Sequence, residues 1–199
     1  MKAPRIIVYG LTRIGYRIFC LLRDQRANVI GVNAYSIPGE PEIIVGELTS
    51  PETLQRAQIG SAITIVIANS DDALNLDILL QVRLLNPRIR IINRLFNQSL
   101  GERLNSTLAG HTAMSMADLS APIFAFSAMG KVAIGHLKLF QTVWPIYEEI
   151  IHPRHPWKGK YLHELWDDRQ RMLIHYLTSD EEISLVEAMS LKRKLQEGD

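Results

Sequence analysis

A turn containing two glycines near the start of the chain has the residues best suited to bind an anion. It reads Gly10-Leu11-Thr12-Arg13-Ile14-Gly15 and follows an apolar stretch. In the fingerprint G-x-G-x-x-G the middle glycine lets a pyrophosphate approach the backbone, and Thr12 stands at that position. The amides at the start of the following helix, together with the Arg13 side chain, would attract a phosphate. The turn is therefore either a phosphate site or a structural strand-to-helix connection.

The elements that must position this turn alternate between apolar strands and amphipathic helices. Apolar runs predict strands at residues 6–9, 29–32, 43–45, 63–67, 89–92 and 111–114. Helical spacing predicts helices at residues 13–26, 51–57, 71–85, 100–108 and 116–129. Uniformly apolar strands joined by helices are typical of a parallel sheet covered on both faces. The sequence therefore predicts an α/β, Rossmann-like doubly wound sheet.

Polar residues follow two of these strands at the edge where such sheets bind ligands. Arg94 ends the fifth strand, and Ser70 caps the helix whose first turn holds Asp71 and Asp72. Arg13 and Arg94 are expected to meet phosphate. For Arg94 an ion pair within the protein is the alternative.

The composition describes a soluble protein of neutral character. The 199 residues carry 22 Lys and Arg against 21 Asp and Glu, which gives no reason to expect a nucleic acid partner. The one cysteine, Cys20, excludes an internal disulfide and fits a reducing cytoplasm. The apolar region at 121–140 is interrupted by Lys131, His136 and Lys138. Its uninterrupted apolar part is therefore shorter than the roughly 20 residues of a membrane span.

A second, smaller unit is expected after about residue 139, where the alternation of strands and helices stops. We place the boundary between residues 1–135 and 139–199, with a hinge bracketed by Gly130 and Gly135. Within the second unit the pattern predicts a strand at 143–151, a turn at 152–156, a short helix at 161–166 and a strand at 172–177. The expected architecture of this unit is a small α+β lobe.

The order of these segments resembles the RCK (KTN, TrkA-N) regulatory domains on the cytoplasmic side of potassium channels and transporters. The resemblance covers nearly the whole chain. It rests on the glycine turn, on Gly46-Glu47 after the third strand, on Ser70-Asp71-Asp72-Ala73-Leu74-Asn75, and on Asn86-Pro87 followed by Ile91-Ile92-Asn93-Arg94. Residues 155–162 and 195–199 resemble the start of a TrkA-C lobe, in which Gly-Asp is followed by one more strand. The resemblance thus implies that this lobe is truncated after Asp199.

This resemblance implies an adenine nucleotide ligand, either NAD(H) or one of ATP, ADP and AMP. The implied binding residues come from the motifs above: Gly10, Leu11, Thr12, Arg13, Ile14, Gly15, Asn33, Gly46, Glu47, Ser70, Asp71, Asn75 and Arg94. Asn33 stands where the family carries an acid for the ribose hydroxyls, so the identity of the nucleotide stays open. The resemblance also implies a homodimer or larger ring and a potassium channel or transporter as membrane partner. The location would be cytoplasmic, at the inner face of the membrane.

Two other functions remain open from the sequence. An NAD(P)-dependent oxidoreductase would share the fold, but no tyrosine is followed four residues later by the lysine of a short-chain reductase. Neither a catalytic set nor a metal site is predicted. A Rossmann-fold assembly domain that has lost its ligand is the other alternative, with Thr12 and Asn33 marking the loss.

Overall fold

The structure, a computed structural model, describes residues 5–140, 142–165, 171–178, 183, 185–190 and 192–199. It divides into two compact units, Met1–Ala125 and Phe126–Asp199. The strands of the first unit are β1 Arg5–Tyr9, β2 Asn28–Asn33, β3 Ile44–Val45, β4 Thr64–Ile67, β5 Arg90–Arg94 and β6 His111–Met114. Its helices are α1 Arg13–Asp24, α2 Pro51–Arg56, α3 Asp72–Leu85 and α4 Gln98–Thr107, and a 3-10 turn covers Ile59–Ser61. Helix α5, Met116–Ala128, runs into the second unit.

The six strands form one parallel sheet in the order β3-β2-β1-β4-β5-β6. This is the strand order of a dinucleotide-binding fold. The central strand β1 pairs with β2 on one side and with β4 on the other, where Ile6 lies opposite Val29 and Thr64 respectively. The predicted α/β, Rossmann-like sheet is confirmed.

Both faces of the sheet are covered because side chains alternate along its apolar strands. Ile7 and Tyr9 of β1 pack with residues of α2 and α3 in one core cluster, whereas Val8 packs with Phe19 of α1 in another. The Tyr9 hydroxyl donates to the Leu48 carbonyl at 3.0 Å, which satisfies it inside the core. Burial raises the pKa of Tyr9 far above its usual range.

Side-chain caps fix where three helices begin. Ser50 accepts from the Glu52 amide ahead of Pro51, as expected for a proline at the first helical position. Asp71 accepts from the Leu74 amide and caps α3, and Asn97 caps α4 in the same way. The prediction that Ser70 caps the third helix is wrong, because Asp71 takes that position and α3 begins at Asp72.

The second unit contains an antiparallel hairpin, β7 Gly135–Leu139 and β8 Thr142–Ile146, and the short helix α6 Leu185–Ser190. A 3-10 turn at Leu162–Leu165 falls in the predicted helix, whose residue 166 lies outside the described part. A small core cluster is formed by Ile151, Leu162, Tyr176, Ala188 and Leu195.

Two predictions for this unit are wrong. The strand predicted at 143–151 ends at Ile146, and the backbone of Ile151 instead bonds to Gly198 and Asp199. Residues 172–177 form no strand; Tyr176 is buried and Leu173 packs on the same cluster, a three-residue spacing that does not fit the alternation of a strand. Gly135 begins β7, and residues 131–134 form neither helix nor strand, so the hinge between Gly130 and Gly135 stays a prediction.

Within the described residues, each helix is too short or too polar to span a bilayer.

Candidate functional site

The glycine turn is held so tightly that two of its positions leave no room for a side chain. Gly10 has φ +85°, and a Cβ atom there would lie 2.0 Å from Oδ1 of Asn69. A Cβ on Gly15 would lie 2.1 Å from the carbonyl oxygen of Gly10. The outer glycines therefore do what the fingerprint requires, one making the turn and the other packing the helix on it.

Thr12 starts α1 from an extended backbone, and its hydroxyl donates to the Ala68 carbonyl at 3.0 Å, just beyond β4. A hydroxyl has only one proton to donate, so Thr12 can only accept from a ligand while this bond is kept. The first hydrogen bond of the helix runs from the Tyr16 amide to the Thr12 carbonyl. The amides of residues 13–15 precede it and are the donors that a helix start offers to an anion.

Asn33, at the end of β2, is bonded to the glycine turn. Its Oδ1 accepts from the Leu11 amide at 3.1 Å, and its Nδ2 donates to the Tyr35 carbonyl at 2.9 Å. An amide side chain has two donors and two acceptor positions, so half of this capacity is left for a hydroxyl group.

Arg13 and Arg94 meet at one cleft of about 370 Å³, lined by Thr12, Arg13, Ile14, Ser70 and Arg94. The Arg94 guanidinium lies 4.6 Å from the centre of the Phe96 ring, and its Nη1 is 3.4 Å from the Asn69 carbonyl oxygen. Among the described residues no carboxylate pairs with either arginine, so the ion pair considered for Arg94 is not seen there. Two guanidinium groups beside a helix start give this cleft the electrostatics of an anion site.

Asn75 and Asp71 are not among the residues that line the cleft. Asn75 is fully buried, and its Nδ2 donates to the carbonyl oxygens of Asn69 at 3.0 Å and Arg94 at 2.8 Å. One amide thus joins the segment that follows β4 to the last residue of β5. Asp71 is occupied as the cap of α3.

Gly46 and Glu47 follow β3 and are not among the residues that line the cleft. The Gly46 amide donates to the Asn33 carbonyl, and a Cβ on Gly46 would lie 2.5 Å from Oγ1 of Thr53 in α2. The exposed Glu47 carboxylate accepts from the Thr49 hydroxyl. Their geometry accounts for packing of α2 on the sheet.

A comparison to protein families agrees with the fold. The model of the TrkA-N domain matches residues 6–115, which is more than half of the chain. The chain belongs to the TrkA-N family. No curated protein matches it in sequence.

Solved structures share the fold of this TrkA-N chain. GsuK bound to ADP is 26% identical with a TM-score of 0.55, and the match covers 61% of this chain and 33% of that one. The GsuK channel bound to NAD is 22% identical with a TM-score of 0.57, covering 82% and 29%. The Kef CTD of Shewanella denitrificans in its AMP-bound form is 18% identical with a TM-score of 0.54, covering 64% and 82%. The chain spans about a third of the length of the GsuK structures.

Sequence reasoning missed two residues that contact the glycine turn or a residue of the cleft, Asn69 against Gly10 and Phe96 against Arg94, and it missed the contacts of Asp72. Asn69 is only 4% exposed and lies against Gly10. The Asp72 carboxylate accepts from the amides of Phe96 and Asn97, which ties the start of α3 to the loop after β5. The available signal was the position of Asn69 and Phe96, each of which follows a strand end on the ligand-binding edge of the sheet.

Proposed function

We propose that this TrkA-N chain is a regulatory domain that binds an adenine nucleotide at the glycine turn. The observation that carries the proposal is the cleft in which Arg13 and Arg94, without carboxylate partners among the described residues, flank the start of α1. Its volume lies within the range of small-molecule sites, and its charge suits phosphate groups. Relatives bound to ADP, NAD and AMP support the same class of ligand.

The residues present fit such a ligand in three respects. The positive φ of Gly10 turns the chain so that the amides of residues 13–15 face outward at the helix start. Arg13 and Arg94 supply positive charge for the phosphates. Asn33 keeps a free donor and acceptor for ribose hydroxyls. NAD(H), ATP, ADP and AMP share these groups, and all are candidates.

The regulatory part of the proposal is that nucleotide binding changes how the domain associates and thereby gates a potassium channel or transporter. Such coupling requires that the ligand binds one arrangement more tightly than another. Residues 1–135 would form the nucleotide-binding domain and residues 139–199 a partial TrkA-C-like lobe. The domain would act at the cytoplasmic face of the membrane as a dimer or larger ring, and it would not be an enzyme.

A second candidate is an assembly domain without a ligand. The observation in its favour is that the Thr12 hydroxyl and the Asn33 amide are already bonded within the protein. Side chains that hold a turn together do not need a ligand to explain them.

Nucleotide binding separates the two candidates. Thermal unfolding is measured with NAD, NADH, NADPH, ATP, ADP and AMP in turn, and the ligand that stabilises the protein is titrated by calorimetry. At 100 times its Kd a ligand should raise the Tm by about 5–10 °C. Arg13→Ala and Arg94→Ala should each weaken binding, whereas the control Arg17→Ala, one turn further along α1, should not. If no nucleotide shifts the Tm at millimolar concentration, the assembly role replaces the sensor.

A further inference from the structure

A tyrosine directly beyond β2 presents its side chain to solvent at the ligand-binding edge of the sheet. Tyr35 is 79% exposed. Its carbonyl accepts from the Asn33 side chain, whose other end accepts from the Leu11 amide in the glycine turn. Two hydrogen bonds therefore connect the backbone of Tyr35 to the turn that begins the phosphate site.

Ile37 and Glu40, later in the loop that carries Tyr35, are held to the rest of the first unit. The fold therefore keeps the Tyr35 ring exposed. Ile37 packs on the core cluster that contains Phe19. The Glu40 carboxylate accepts from the Tyr16 hydroxyl at 3.0 Å and from Arg23 Nη1 at 2.7 Å, which fastens the loop to α1. Arg23 and Tyr16 together lower the pKa of Glu40.

The faces of the Tyr35 ring are also free of stacking contacts with other described residues. Phe96, another exposed aromatic residue of the first unit, has the Arg94 guanidinium over its ring at 4.6 Å. For Tyr35 no aromatic ring or guanidinium of the described residues is in stacking contact. It offers a π-face in the part of the fold where a nucleotide with its phosphates at α1 would place its nucleoside.

We propose that Tyr35 stacks on the base of the bound nucleotide and favours purine nucleotides over phosphate compounds that lack a base. The inference rests on the proposed function, to which it adds the group that recognises the base. Stacking of a base on an aromatic side chain depends on the π-face, and the tyrosine hydroxyl is not needed for it. The Asn33 amide beside it would hold the ribose.

The test is calorimetric titration of ADP into the whole chain and into three variants. Tyr35→Ala removes the ring, Tyr35→Phe keeps it without the hydroxyl, and Tyr147→Ala removes another partly exposed tyrosine from the second unit as a control. We expect Tyr35→Ala to raise the Kd by about 10- to 100-fold. The Kd of Tyr35→Phe and Tyr147→Ala should stay within about twofold of the parent.

The outcomes separate this inference from the proposed function. If the parent binds ADP and Tyr35→Ala binds it equally well, stacking is overturned and the nucleotide site stands. If Tyr35→Phe loses as much affinity as Tyr35→Ala, the hydroxyl is the binding group and stacking is again overturned. If the parent binds no nucleotide, the proposed function fails and this inference fails with it.

Discussion

The position that a Cβ atom would take on Gly15 lies 2.1 Å from the carbonyl oxygen of Gly10. The atom it would meet belongs to the backbone, so no side-chain rotation can relieve the overlap. The closeness of α1 to the turn, and with it the direction of the first amides of the helix, depends on this missing side chain.

We therefore expect Gly15→Ala to lower the free energy of unfolding by about 1–3 kcal/mol, the usual cost of overpacking. Nucleotide affinity should fall as well, because the helix start moves away from the turn. Urea denaturation and calorimetry measure the two effects. Gly60→Ala is the matched control, since a Cβ on Gly60 meets no atom within 4 Å. A Gly15→Ala protein as stable as the parent would contradict the packing argument.

Thr12 allows a test of the bond between the turn and β4. Thr12→Val keeps the shape of the side chain but leaves the Ala68 carbonyl without its 3.0 Å partner. We expect a loss of about 1 kcal/mol in the free energy of unfolding, the net value of one such hydrogen bond. Thr12→Ser keeps the hydroxyl and should recover most of the loss. Equal stability of the Val and Ser variants would show that the bond contributes nothing.

The sheet and the glycine turn were predictable because they follow from local patterns. Apolar runs mark β1 and β4, and the glycine spacing marks the start of α1. The partner of Thr12 was not predictable, since Ala68 is remote in sequence and contributes a backbone carbonyl that every residue has. The role of Asn75 was hidden for the same reason, because both groups it bonds are carbonyls.

The second unit was less predictable because its core is small and its strands are not uniformly apolar. Pro145 lies inside β8, and β7 has the polar residues His136 and Lys138. The proline disfavours a strand assignment for β8, whereas His136-Leu137-Lys138-Leu139 does alternate, and that pattern was overlooked. The apolar residues at 172–177 predicted a strand, but only Tyr176 among them is buried and the segment pairs with no other strand among the described residues.

His111 should make the stability of the first unit sensitive to mild acid. Its Nδ1 lies 3.0 Å from Oδ1 of Asn105, which also accepts from the Ala113 amide, so neutral His111 donates from Nδ1. Burial, and secondarily the charge of Arg83, lower the pKa of His111 below its usual value of 6.5. The unfolded chain therefore takes up a proton at higher pH than the folded one, and stability declines as pH falls below about 6.5.

Urea midpoints at pH 7.5 and 5.5 measure this decline, and the comparison protein is His111→Gln, which cannot titrate. The variant should show a smaller difference between the two pH values, whatever its absolute stability. Glu149 affects stability only at lower pH. Hydrogen bonds from Lys131 and His155 lower its pKa, so the stability that this carboxylate contributes is lost as pH falls below about 4.3. An unchanged pH difference in His111→Gln would exclude His111 as the cause.

Self-association should depend on α5, in which none of the thirteen residues, all described, is buried. Phe124 is 75% exposed there, more apolar surface than a monomer usually leaves open. We expect a dimer or larger ring by light scattering at tens of micromolar, and Phe124→Glu should shift the mass toward the monomer. Ser99→Glu adds the same charge on α4 and should leave the mass unchanged. A monomeric parent protein would refute this prediction.

The central position of β1 has a consequence for synthesis of the chain. β1 precedes the other five strands of the sheet in the chain, yet it lies between β2 and β4. Its Ile6 pairs with Val29 of β2 and with Thr64 of β4, which comes much later in the sequence. Because β2 precedes β4 in the chain, the β1–β2 pair can form before β4 is available, and until then one edge of β1 stays open. Closing that edge requires a long loop, which makes the step slow. During this interval the nascent chain exposes the apolar edge that a chaperone would cover.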